Sequence, residues 1–159
     1  MENWQKVEAQ KLLEIHKSQP TILWVDDERD PYATAFRCDD TWVEYTVGIT
    51  NPGNWNVIWL KNYEQFTNWI ELEGLPDVIC FDHDLGEQLT GADCMKYLIN
   101  YLIEKDVLGP IIRCQSSNPS GRHNILSLRY NWWTYWLKRH RYKTNIQSPY
   151  KTNIQSPYL

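Results

Sequence analysis

Long hydrophobic runs are missing from this 159-residue chain. No stretch approaches the ~20 apolar residues that a membrane-crossing helix needs, so no membrane-spanning role is expected. Basic excess is missing as well: 16 Lys and Arg stand against 20 Asp and Glu, for a net charge of −4. With a sequence pI near 5.5, an extended nucleic-acid surface is not expected, although a small nucleotide in a local pocket is compatible with this balance. Cysteine is scarce and badly spaced for metal. Cys38, Cys80, Cys94 and Cys114 form no CxxC pair, which argues against a structural zinc site. A secretory leader is not evident, because Glu2, Lys6, Glu8 and Lys11 interrupt the N-terminal segment. The expectation is a soluble protein of a reducing cytoplasm, that of a bacterial host cell.

Aromatic residues, by contrast, are plentiful at 14%, with nine Trp and ten Tyr. They are enough to fill the core of one domain of this length. Those around 32–59, including Tyr32, Trp42, Trp55 and Trp59, are also candidates for stacking a base.

The apolar pattern alternates between two periods. Residues 3–17 carry a loose helical face, and Thr21 to Val25 reads as a buried strand. Residues 29–54 are turn-rich, long for a connection, and contain a weak strand signal at 43–47, so an inserted loop or hairpin is expected there. Asn56–Leu60 is a strand, 62–72 a helix stopped by Gly74 and Pro76, and 77–82 a strand. Gly91–Ile103 is a helix whose glycine permits a start close to the sheet, Ile111–Gln115 a fourth strand, and 122–139 a helix. Strands alternating with helices imply a parallel α/β sheet whose ligands collect beyond the carboxyl ends of its strands. The domain is expected to span 1–142. Residues 143–150 and 151–158 are identical copies of KTNIQSPY, read as a duplicated tail at 143–159.

Two of the strands run into acids. TILWV delivers Asp26, Asp27, Glu28 and Asp30, and VICF delivers Asp82, His83 and Asp84. Carboxylates gathered at buried strand ends repel one another and resist desolvation. A hard divalent cation, Mg²⁺ or Mn²⁺, removes both difficulties. Asp26, Asp27 and Asp82 are the candidate ligands. Asp84 is a further ligand or the group that fixes His83, and His83 is a candidate general acid or base. The turn QSSNPSGRHN places Ser116, Ser117 and Asn118 ahead of a helix start, an arrangement that suits both capping and anion binding, with Arg122 as a planar donor. His123 either joins this site or covers the first helical turn.

The paired acids Asp26 and Asp27, the strand-ending Asp82 and the hydroxyl of Ser116 resemble the receiver superfamily of two-component response regulators. More narrowly, VDDERDP at 25–31, FDHDLG with TG at 81–86 and 90–91, and SSNPSGRHN at 116–124 resemble the cyclic-phosphate processing receiver-like family of phage and bacterial genomes. The resemblance implies a receiver-like (flavodoxin-like) doubly wound sheet, here truncated to about four strands with an added N-terminal helix. It also implies a phosphoesterase role on a cyclic phosphate or cyclic nucleotide, either disarming host nucleotide signals or processing RNA ends. The family often has a histidine just before the serine, where this chain has Gln115; His83 or His123 would then have to substitute. A phosphorelay receiver fits less well, since no lysine follows a fifth strand.

Three other readings fit the sequence. A non-catalytic sponge would bind a cyclic nucleotide without cutting it. A degenerate receiver would serve protein contacts or a homo-oligomer through its Trp-rich helix at 132–136. A haloacid-dehalogenase-type phosphatase would use Asp82-His83-Asp84, although that motif normally follows the first strand of its domain.

Overall fold

The structure is a computed structural model that describes residues 3–15, 19–31 and 55–147. The strand expected at 43–47, Tyr32, Trp42 and Cys38 lie outside the described residues. The elements are α1 (Asn3–Ile15), β1 (Thr21–Val25), β2 (Asn56–Leu60), α2 (Tyr63–Glu73), β3 (Val78–Phe81), α3 (Gly91–Lys105), β4 (Ile111–Cys114) and α4 (Pro119–Gln147). The strands form one parallel sheet in the order β2-β1-β3-β4.

Strand alternation divides the core into two layers. Leu23, Val25, Leu60, Ile79, Phe81, Ile112 and Cys114 face α2, α3 and α4, which contribute Phe66, Ile70, Met95, Leu98, Leu102, Ile125 and Trp133. Ile22, Trp24, Val78, Cys80 and Ile111 point to the opposite face, where Ile15 of α1 joins them. Emptying a fully buried position such as Ile79 costs about 2–5 kcal/mol through lost transfer energy and the cavity left behind. Cys80, Cys94 and Cys114 are buried free thiols. Burial pushes the Cys80 thiol up to about 12, so it behaves as a small apolar side chain.

The starts of α2, α3 and α4 have local causes. Asn62 accepts from Gln65 N at 2.9 Å to cap α2, and Gly74, with φ +84°, ends it. Thr90 and Asp93 form a reciprocal capping box on α3. Gly91 begins that helix directly against the Asp82 carbonyl, the close approach expected from its lack of a side chain. Asn118 caps α4 by accepting from Gly121 N at 3.0 Å, with Pro119 in the first helical position.

The last helix is longer than the expected 122–139. It continues to Gln147, into the first copy of the repeat. KTNIQ holds no helix breaker, and the first one met is Pro149. His140 stacks on Trp136 with ring centroids 3.5 Å apart. At the other end, α1 is fixed to β4 by the Glu8–Arg113 ion pair at 2.8 Å.

The sheet ladder runs one residue beyond its strands. Asp26 N donates to Leu60 O at 3.0 Å, Asp82 N to Val25 O at 2.8 Å, and Gln115 N to Phe81 O at 3.0 Å. These bonds hold the tips of β1, β3 and β4 in register along one edge.

Candidate active site

Asp26, Asp27 and Asp82 come together at that edge, each offering a carboxylate oxygen within 4.8 Å of the others. Asp26 is fully buried. Its Oδ1 accepts from Glu28 N at 3.1 Å and Arg29 N at 2.7 Å. Burial pushes its carboxyl above the usual range, with Asp82 adding to the rise, while the Arg29 and Glu28 contacts oppose it. Asp82 accepts from His83 N at 2.7 Å through Oδ1. Asp27 lies against Gly86, where an added Cβ would come 2.7 Å from its Oδ2. The positive φ of Gly86 and this close approach both favour glycine there.

Arg29 enters this cluster as the cation. Its Nη2 donates to Asp82 Oδ2 at 2.7 Å and its Nη1 to the Gln115 carbonyl at 2.8 Å. Its Nε sits 2.7 Å from Asp26 Oδ2. That last contact is an ion pair poorly aligned for hydrogen bonding, which leaves Oδ2 buried without a hydrogen-bond donor among the described residues. One side chain therefore joins the tips of three strands. Arg29 is not among the candidate site residues that the sequence singles out. The available signal was the need of buried acids for a nearby positive charge, and Arg29 is the first cation after Asp26.

Two tryptophans hold the same loop. Trp24 Nε1 donates to Arg29 O at 2.8 Å, and Trp59 Nε1 donates to Asp26 O at 2.6 Å. The two are register partners on β1 and β2. Trp59, read as a candidate base stacker, is thus committed to the backbone of the acidic loop, and its ring lies 4.1 Å under Lys61 Nζ. Trp55 is half-buried and packs with the second core layer.

The second half of the site forms beside the first. His83 Nδ1 lies 3.0 Å from Asp84 Oδ1, and Asn118 Nδ2 donates to Asp84 Oδ2 at 3.0 Å. The His83 and Asn118 hydrogen bonds hold the exposed Asp84 carboxyl below its usual range. Since a carboxylate only accepts, Nδ1–H donates in this contact, and Nε2 is the ring nitrogen not engaged by Asp84. Gly121 abuts this imidazole so closely that a Cβ there would fall 2.2 Å from His83 Cγ.

The serine–asparagine turn is more self-contained than the sequence suggests. Ser116 is buried, and its Oγ accepts from Asn118 N at 3.2 Å. Asn118 spends its oxygen on the helix cap and on Ser120 Oγ at 3.0 Å. Ser117 is exposed. Arg122, expected to face an anion, turns Nη1 back onto the Cys114 carbonyl, an orphan acceptor at the end of β4. His123 is exposed and lies 3.4 Å from Ser127 one turn along α4; its described contact is within the helix and not with the acids. Gln115, in the place where the resemblance favours histidine, points Nε2 at Val25 O and Cys80 O, each at 3.4 Å. Its Oε1 is buried with no hydrogen-bond donor among the described residues.

The donor set fits a hard divalent cation. Three carboxylates converge, one guanidinium offsets only part of their charge, and a buried carboxylate oxygen lacks a hydrogen bond among the described residues. Among the described residues, no helix is long and apolar enough to cross a membrane.

No curated protein matches the chain. Among solved structures it is similar to a fusion of the yeast Spc42 trimeric coiled coil, at 17% identity and a TM-score of 0.45, over 82% of this chain and 84% of that one. It is also similar to the signal receiver domain of a protein described as a LuxO repressor from Vibrio parahaemolyticus. That match has 14% identity and a TM-score of 0.43, over 82% of this chain and 98% of the other. The family model for the cyclic-phosphate processing receiver domain matches residues 21–131, a span that runs from β1 into α4 and takes in both halves of the site, and the chain belongs to that family.

Proposed function

We propose that this protein is a metal-dependent phosphoesterase that opens a cyclic phosphate or cyclic nucleotide by hydrolysis. The observation that carries the reading is the juxtaposition of the Asp26–Asp27–Asp82 cluster with a carboxylate-held histidine, since Asp82 and His83 are adjacent in the chain. Asp26, Asp27 and Asp82 would hold Mg²⁺ or Mn²⁺. When bound, such an ion polarises the phosphorus centre and lowers the pKa of a coordinated water. Asp84 fixes the His83 ring, so that Nε2 takes a proton from the attacking water or returns one to the leaving oxygen. Ser116 keeps its hydroxyl hydrogen for a phosphate oxygen, because the contact it makes with Asn118 N uses it as an acceptor. Arg122 has further N–H groups beyond the one spent on Cys114. The family's link to cyclic phosphates supports the substrate class, and phage anti-defence or RNA end processing are the settings that match it.

The test is incubation with cyclic dinucleotides and 2′,3′-cyclic nucleotides, with Mg²⁺ or Mn²⁺ and with EDTA. Wild type should yield a linear phosphate ester. EDTA and Asp82→Asn should abolish the product, and His83→Asn should slow it by about 10²–10⁴-fold. A sponge is the second reading, favoured by Gln115 in the histidine position. It predicts tight binding with the ligand recovered intact after denaturation.

A further inference from the structure

We infer that Arg29 is a resident counter-cation which a divalent ion must displace, so that Arg29 sets the metal affinity of the acidic cluster. The inference rests on the reading of Asp26, Asp27 and Asp82 as the ion's ligands, and adds to it the residue that opposes binding.

Three observations support it. The guanidinium lies on the oxygens an incoming ion would use, with Nε at 2.7 Å from Asp26 Oδ2 and Nη2 at 2.7 Å from Asp82 Oδ2. It is held there, since its side chain is only 28% exposed and its carbonyl is fixed by the Trp24 indole. Its hold is nevertheless incomplete: among the described residues, Asp26 Oδ2 is buried with no hydrogen bond. One guanidinium faces three carboxylates, so it offsets their mutual repulsion only in part. A planar fork satisfies two carboxylates edge-on, whereas a small ion can draw three oxygens to one point. The two occupants therefore exclude each other at Asp26 and Asp82 while sharing the same stabilising role.

The Gln115 carbonyl, which already takes Nη1 at 2.8 Å, would remain as an acceptor for the displaced guanidinium. The loop backbone would stay fixed, because the Trp24 and Trp59 indoles bind the carbonyls of Arg29 and Asp26 and not the side chains.

The test is a Mn²⁺ titration of wild type, Arg29→Gln and Asp82→Asn, read by the paramagnetic resonance of free Mn²⁺, beside a Mg²⁺ titration of wild type followed at the Arg29 Nε–H resonance. Arg29→Gln should bind Mn²⁺ on the order of tenfold more tightly, the equivalent of one charge-assisted contact no longer lost. Asp82→Asn should bind far more weakly. In wild type the Nε–H resonance should move in proportion to Mg²⁺ bound, a readout that survives even if Arg29→Gln folds poorly. Equal or weaker Mn²⁺ binding by a folded Arg29→Gln overturns the displacement while leaving the metal site standing. So does an Nε–H resonance that stays still as Mg²⁺ binds. Absence of binding by every form overturns the displacement and the metal-dependent reading together.

Discussion

Arg29 and Asp82, 53 positions apart in the chain, meet at 2.7 Å with Nη2 donating to Oδ2. The contact joins the loop after β1 to the tip of β3, and the bond from Nη1 to Gln115 O extends it to β4. The receiver-like acids are thus offset in part here by an arginine from the first loop.

Replacing Arg29 with Gln should destabilise the fold by about 1–3 kcal/mol, because Asp26 stays buried without its counter-charge. Urea unfolding measures this, and adding Mn²⁺ should recover part of the loss. An unchanged unfolding midpoint would mean that the guanidinium contributes nothing to the fold.

Gly121→Ala should cost about 1–3 kcal/mol and displace the imidazole of His83, since the new Cβ would fall 2.2 Å from Cγ. The His83 ring resonances should shift in the variant while those of α3 stay in place. An unshifted ring with wild-type stability would contradict the close packing of α4 on His83.

The sheet and its helices were legible because apolar runs such as ILWV and VICF need no distant partner to be read as strands, and the Thr90–Asp93 box marks its helix locally. The meeting of Asp26 with Asp82 was legible for the same reason: parallel strands place their carboxyl ends on one edge. What escaped was set by contacts across the fold. Nothing in VDDERDP says that Arg29 turns inward to a residue on β3, or that Trp59 on β2 spends its indole on Asp26 O. Nothing in SSNPSGRHN says that Arg122 spends Nη1 on the Cys114 carbonyl, an acceptor that appears only where β4 ends.

Trp59→Phe keeps the ring in the second core layer but removes the N–H that binds Asp26 O. A loss of about 1 kcal/mol is expected, with faster hydrogen exchange at the Arg29 amide. Exchange as slow as in wild type would show that the indole does not hold the loop.

The capping box gives a pH signature. The Thr90 backbone N–H, first among several contacts, holds the Asp93 carboxyl below its ordinary value of 3.8. A lowered folded-state value means that the ionised form stabilises the fold above the unfolded-state value and loses this effect as pH falls through the folded one. Asp93→Ala should therefore be less stable than wild type by about 1 kcal/mol near neutrality. The gap should narrow as pH drops below 3.8. A gap independent of pH across that range would assign the effect to helix propensity instead.

The most direct measurement is hydrolysis of a 2′,3′-cyclic nucleotide in oxygen-18 water with Mg²⁺ present. The account predicts a linear phosphomonoester carrying one oxygen-18 atom on phosphorus from wild type, and none from Asp82→Asn. Recovery of the intact cyclic ligand, bound but uncut under every metal and cyclic substrate tried, would contradict it.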